Sequence, residues 1–265
     1  MPRSVLFQPL HTVALVAVLA LVPGASPIAA AEAAARKSVS SDLVALSKVD
    51  ASIAQDMRYA GPHNFTGRIV PGYEAPQCLL RPAVADALAR VQADLAKAEP
   101  PLSLKVFDCY RPQRSVRSFM AWAADKDDGS SRVYHPGLPR GALVAKGYIA
   151  RTSTHSRGIA VDLTLTLENS TATGAAAAKA SASKQGPCTG DRSAGDSEID
   201  MGSGFDCFDP KSHTAAGGIA EEQRDARQLL KRAMSRHGFV NYAREWWHFT
   251  YPAADDGRSF DVPVR

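Results

Sequence analysis

Ser153–Leu165 reads STHSRGIAVDLTL. Its later part, Gly158–Leu165 (GIAVDLTL), is a β-rich run. His155 and Asp162 stand seven residues apart, with Gly158 between them to let the backbone turn. Asp162 lies between apolar Val161 and Leu163. On a strand its carboxylate therefore points to the opposite face from those neighbours. One imidazole and one carboxylate make two ligands for zinc. A catalytic zinc site takes a third and leaves the fourth position to water.

Glu245-Trp246-Trp247-His248 can supply that third ligand. Residues three apart on a strand face opposite sides, so Glu245 and His248 converge only if the chain bends. A strand entered from a loop at Arg244–Glu245 meets that condition. His248 then ligates, and Glu245 stands behind the bound water as general base. Taken singly, each residue has a plain structural role. His155 can be a satisfied core histidine, Asp162 a turn cap or an arginine partner, and Glu245 a rim residue. EWWH can be an aromatic core strand. The combination is what points to a metal.

Outward from this centre, the pattern is α+β: a small antiparallel sheet flanked by helices, with the metal site on the sheet. Arg81–Ala98 reads as an amphipathic helix, with Pro82 in its first turn and Val84, Leu88, Val91 and Leu95 on one face. Leu102–Cys109 (LSLKVFDC) alternates as a strand, and Pro112 opens a second helix carrying Val116, Phe119 and Met120. Ala220–His237 is a third helix, with Leu229, Leu230 and Ala233 apolar and Gly238 as its stop. Trp246–Tyr251 is again β-rich. Asn169–Ser197 is rich in Ala, Ser and Gly and poor in large apolar groups, which predicts an exposed insertion, not a domain.

The N-terminus predicts export. Arg3 precedes the apolar run Val13–Val22 (VALVAVLALV), and Ala29-Ala30-Ala31 fits a cleavage site, so residues 1–31 read as a signal peptide. The run is short for a membrane span, which needs about 20 residues. No stable membrane insertion is expected after cleavage. Residues 32–45 read as a flexible lead-in and 46–265 as one domain. The net charge of +4 is mild, and no basic run or aromatic-basic alternation calls for nucleic acid. Four cysteines in an exported chain favour two disulfides. Cys78–Cys109 and Cys188–Cys207 are preferred as the pairs nearer in sequence; buried free thiols are the alternative.

Five blocks of this sequence together resemble the D-alanyl-D-alanine dipeptidase family. They are RYAGPHNFTG (58–67), FDCYRP (107–112), STHSRGIAVDLTL (153–165), DMGSGFD (200–206) and EWWHF (245–249), in the family's order. The resemblance spans about Asp56 to Val264. It implies one Zn2+ per chain on His155, Asp162 and His248, with Glu245 as catalytic base and Arg111 stabilising the transition state. It also implies Tyr59, Ser153 and Asp206 around a small D,D-dipeptide substrate, Asp206 suiting an ammonium group. The insertion and the cysteines depart from the family's pattern and bear on compartment more than on chemistry. A carboxypeptidase acting on longer peptidoglycan peptides and a non-catalytic zinc-holding domain are the two alternatives. Oligomeric state is not legible.

Overall fold

The computed structural model describes residues 42–167, 188 and 197–265. The expected signal peptide lies outside these residues, as does the expected insertion apart from Cys188 and Ser197. Of the lead-in, only 42–45 are described. Leu43 is buried, and Val44–Ala45 (β1) pairs antiparallel with Leu79–Leu80 (β3), so these residues of the expected lead-in belong to the packed structure. A single turn of helix, Leu46–Val49 (α1), follows.

The main sheet has five strands in the order β2-β4-β5-β7-β6. These are Ala54–Gln55 (β2), Leu102–Asp108 (β4), Ala160–Leu167 (β5), Val240–Asn241 (β6) and His248–Thr250 (β7). The expectation of an antiparallel sheet needs one correction. Strand β2 runs parallel to β4, while the other three pairings are antiparallel. A parallel neighbour needs a long crossover, and the chain between β2 and β4 provides one, holding β3 and the helix Pro82–Leu95 (α2).

Helix α2 forms as its pattern dictates, with Pro in the first turn and Val84, Leu88, Val91 and Leu95 buried. Its buried Gln92 ties it to the sheet, donating to Ser103 Oγ (3.0 Å) and accepting from the Leu104 amide (2.8 Å). Helix Gln113–Ala124 (α3) buries Val116, Phe119 and Trp122, with Met120 half-buried. Helix Glu221–Arg236 (α4) buries Ala226, Arg227, Leu230, Ala233 and Met234. Leu229, expected on its apolar side, sits instead at 36% exposure. Gly238, just past the helix, takes φ +90°, the left-handed conformation expected of a stop signal.

The two long strands put their apolar rows on one face. Leu104 opposes Leu165 and Val106 opposes Leu163, and all four are fully buried. The register then slips between Val106 and Asp108, so that Asp108, not Phe107, stands opposite Asp162. A bulge of this kind re-aims a side chain. Simple alternation along LSLKVFD would group Asp108 with Leu104 and Val106; the slip turns it to the face of Asp162. On the other side of β5, His248 opposes Asp162. Asp108, Asp162 and His248 thus form a polar row across three adjacent strands.

Both expected disulfides are present, Cys78–Cys109 and Cys188–Cys207. Beyond Asp162, the later part of β5 gains a further partner. Leu167 donates to the Ser197 carbonyl (3.0 Å) and Ile199 to the Leu165 carbonyl (2.8 Å), and Thr166 bridges antiparallel to Glu198. Ser197–Ile199 therefore lie beside the end of the strand that runs to Leu167.

Candidate active site

His155 sits in a short 3-10 turn, Thr154–Arg157. Ser153 begins the turn, its hydroxyl accepting from the His155 amide (3.3 Å). Gly158 ends it at φ +70°, where any Cβ would come within 2.5 Å of Leu43. Only glycine closes this turn without strain. The turn delivers His155 to the polar row of the sheet. Its Nδ1 donates to the Cys109 carbonyl (2.7 Å), which leaves Nε2 aimed at Asp162 and His248. A bond of this kind fixes the tautomer a metal-binding histidine needs.

His155, Asp162 and His248 are the only set of three or more such side chains among the described residues whose ligand atoms converge, within 4.8 Å of one another. His155 Nε2 lies 3.1 Å from His248 Nδ1 and 3.3 Å from Asp162 Oδ1, and the last two are 2.9 Å apart. Ligands about 2.0–2.2 Å from a tetrahedral zinc lie roughly 3.3–3.5 Å from one another. The triangle is close to that size, and two imidazoles with one carboxylate are a zinc donor set. The residues fit the ion. Burial pushes the Asp162 carboxyl up, but the His155 and His248 rings outweigh it and hold it below the usual carboxylate range. Burial pulls His248 down, toward the neutral form that can ligate. Its remaining nitrogen, Nε2, lies 3.3 Å from the Thr250 hydroxyl.

Glu245 reaches the same corner by the bend the sequence required. Strand β7 begins only at His248, and Glu245–Trp247 form a turn closed by the His248 amide on the Glu245 carbonyl (3.3 Å). The Glu245 carboxylate comes to 3.9 Å from His248 Nδ1, with its side chain 13% exposed. Burial, together with the charges of Asp162 and Asp206, raises this carboxyl well above its ordinary range.

Arg111 follows β4 directly, beyond Asp108. Its Nε and Nη2 both donate to Asp108 Oδ2 (2.9 and 2.7 Å), and Nη2 lies 3.6 Å from Asp162 Oδ2. The guanidinium also rests over the rings of Tyr59 and Phe119, 5.2 and 5.1 Å from their centres. Sequence reasoning gave no role to Asp108 or Tyr73. Both are buried, and the Tyr73 hydroxyl donates to Asp108 Oδ1 at 2.6 Å. The signal that could have found Asp108 is the carboxylate three residues before the arginine in FDCYRP.

Asp206 lies in an irregular loop, with the Cys188–Cys207 bridge beside it. Its φ of +65° is unusual for a residue with a side chain, though aspartate tolerates it better than most. The carboxylate is buried, and among the described residues its hydrogen-bond donor is the Tyr59 hydroxyl, at 3.0 and 3.1 Å from the two oxygens. Burial and the charge of Asp162 push its pKa well up. Such a group is a carboxylate short of a cation.

All eight residues singled out in the sequence line one cavity of about 490 Å³, including Tyr59, Arg111, Ser153 and Asp206. That volume suits a small ligand. It brings together a corner that could hold a metal, a buried carboxyl at Glu245, an arginine and a second buried carboxyl at Asp206 within one chamber.

A family model described as D-ala-D-ala dipeptidase matches residues 39–175 and 168–264. Curated relatives carry the same description. A D-alanyl-D-alanine dipeptidase of Enterococcus faecium is 34% identical over 222 residues, covering 83% of this chain and 96% of its own length. One from Streptomyces coelicolor is 34% identical over 226 residues, 84% of this chain and 98% of its own. One from Escherichia coli is 29% identical over 213 residues, 80% and 86% respectively. The matched region contains every side chain of the chamber, and the chain belongs to the D-ala-D-ala dipeptidase family.

Proposed function

We propose that this protein is an exported zinc dipeptidase that hydrolyses D-alanyl-D-alanine and close D,D-dipeptides. The observation that carries the reading is the converging His155–Asp162–His248 triangle with Glu245 and Arg111 on its flanks. His155, Asp162 and His248 would hold the zinc, which when bound would supply Lewis acidity for the scissile carbonyl and for a water to be deprotonated near neutral pH. Glu245 accepts the proton of the attacking water and returns it to the leaving amine. Arg111 presents planar donors to the oxyanion that forms as the carbonyl becomes tetrahedral.

Asp206 supplies selectivity for the amino end. A free dipeptide carries an ammonium one residue from the scissile bond, and that cation is what the buried Asp206 lacks. An acylated substrate leaves the carboxylate without it. Tyr59 holds Asp206 in place through its hydroxyl and walls the chamber with its ring. Ser153 lines the chamber while capping the turn of His155.

Export is supported by the sequence of residues 1–31 and by the two disulfides, which persist in oxidising compartments. No helix among the described residues is long and apolar enough to cross a membrane. The deciding experiment is metal analysis with kinetics on D-Ala-D-Ala, N-acetyl-D-Ala-D-Ala and L-Ala-L-Ala. One zinc per chain with preference for the free D,D-dipeptide is expected. Equal kcat/KM on the free and acylated substrates would assign a carboxypeptidase instead, and a zinc-loaded protein without turnover would assign a binding domain.

A further inference from the structure

Arg111 is useful to an oxyanion only if its donors are aimed before the charge appears, because donors that must reorient lose much of their effect. Long side chains are not aimed by their own backbone. Something has to hold the guanidinium. The bulge at the end of β4 places the fully buried Asp108 within reach of three groups of the site. Its Oδ2 accepts from both Nε and Nη2 of Arg111. The same oxygen lies 3.4 Å from Nδ1 of His155. Its Oδ1 accepts from the Tyr73 hydroxyl, and Tyr73 itself is anchored by its bridge to Val264 near the C-terminus.

We infer that Asp108 is a positioning residue for this reaction, holding the Arg111 guanidinium in its working orientation, and that Tyr73 holds Asp108. This inference rests on the assignment of Arg111 to the oxyanion. Two features separate the arrangement from an ordinary buried ion pair. Both hydrogen bonds from Arg111 fall on one carboxylate oxygen, which fixes Nε and one edge of Nη2 and leaves Nη1 outside the pair. The other oxygen is occupied by a neutral donor, so the carboxylate cannot rotate to follow the arginine. Asp108 does not line the cavity; its carboxylate reaches the chamber through Arg111, with His155 3.4 Å away.

The test uses the full-length protein and three variants: Asp108→Asn, Tyr73→Phe and Arg111→Lys, with Asp108→Asn also made in the Arg111→Lys background. Asp108→Asn keeps the volume and removes the charge. Its kcat on D-Ala-D-Ala is expected to fall about 10- to 100-fold, as for loss of a supporting partner of a site residue, with KM and zinc content nearly unchanged. In the Arg111→Lys background the same substitution should cost less than about threefold, because residues acting as a unit are not additive. Tyr73→Phe removes one hydroxyl, leaves the packing, and should lower kcat by a smaller factor in the same direction. It carries the test if Asp108→Asn does not fold. A second readout needs no turnover. In 15N-resolved NMR of the protein, the Arg111 Nε–H should give a sharp, slowly exchanging signal in the wild type and a broadened one in Asp108→Asn and Tyr73→Phe. Additive kinetic losses in the double variant, an unchanged kcat in Tyr73→Phe, or an Nε–H signal indifferent to both substitutions would overturn the inference. A wild type without dipeptidase activity would end the functional reading, and the NMR result would still decide whether Asp108 holds Arg111.

Discussion

Two corners of the chamber are built differently. The corner that could hold a metal stands on regular structure: Asp162 and His248 face each other across paired strands, and His155 comes from a turn locked by Gly158. The corner of Asp206 stands on a loop, on an aspartate with positive φ, beside a disulfide and one tyrosine hydroxyl. A sheet fixes side chains to within the spacing of a strand pair, which suits ligands that must surround one ion. A loop can be rebuilt without unravelling the sheet, which suits the substrate-selecting role proposed for Asp206. Damage to the first corner should therefore abolish chemistry. Damage to the second should change preference and leave the chemistry in place.

The largest expected effect comes from the sheet corner. His155→Ala or His248→Ala should lose zinc and turnover together, since two protein ligands hold a catalytic metal poorly. Purified variant with one zinc per chain and near-normal kcat would sink the ligand set. Treatment with a chelator should inactivate the wild type in the same way, with activity restored by added zinc.

Glu245→Gln separates the ligands from the base. It should keep the metal and lose at least about 100-fold in kcat, the low end for acid–base work. Metal lost along with activity would move Glu245 from chemistry to structure.

The loop corner is probed through the ratio of kcat/KM on D-Ala-D-Ala to that on N-acetyl-D-Ala-D-Ala. A buried charge deprived of its partner costs about 2–5 kcal/mol. At about 1.4 kcal/mol per factor of ten, that is roughly 30-fold to several thousand-fold discrimination. Asp206→Asn should shrink the ratio mainly by weakening the free dipeptide, with zinc content untouched. A variant that loses stability and keeps its preference would show that Asp206 only shapes its loop.

The smallest effect belongs to Ser153, which stands between the two roles. As the cap of the His155 turn it contributes about 0.5–2 kcal/mol to stability. Thermal unfolding of Ser153→Ala should shift by that amount. A raised KM with unchanged unfolding would instead make it a substrate contact first.

Much of the fold could be read in advance. Helices α2, α3 and α4 follow from apolar spacing and from Pro82, Pro112 and Gly238, all of which act locally. Strands β4 and β5 follow from their β-rich runs. The bend before His248 entered only as a condition for Glu245 and His248 to converge; the β-rich run from Trp246 gave no sign of it, and the strand begins at His248. The parallel strand β2 was not legible, because two residues carry no periodicity.

Sequence alone determined the types of residue that meet in the chamber, since donor chemistry and motif spacing travel with the chain. It favoured the cysteine pairs nearer in sequence, but four cysteines allow three pairings, and the fold decided that Cys78 meets Cys109 and Cys188 meets Cys207. Tertiary structure decided what those residues touch. Whether Asp108 joins the core or the site depends on a one-residue slip of β4 against β5, and a strand's own sequence does not record its register. Whether Asp206 is neutralised or left wanting a cation depends on which groups burial brings near it. In this loop burial brought Tyr59, a neutral donor. Interactions between residues far apart in the chain, Tyr59 with Asp206 and Tyr73 with Asp108, carry no mark in either segment alone, because the contact exists only after the sheet has formed.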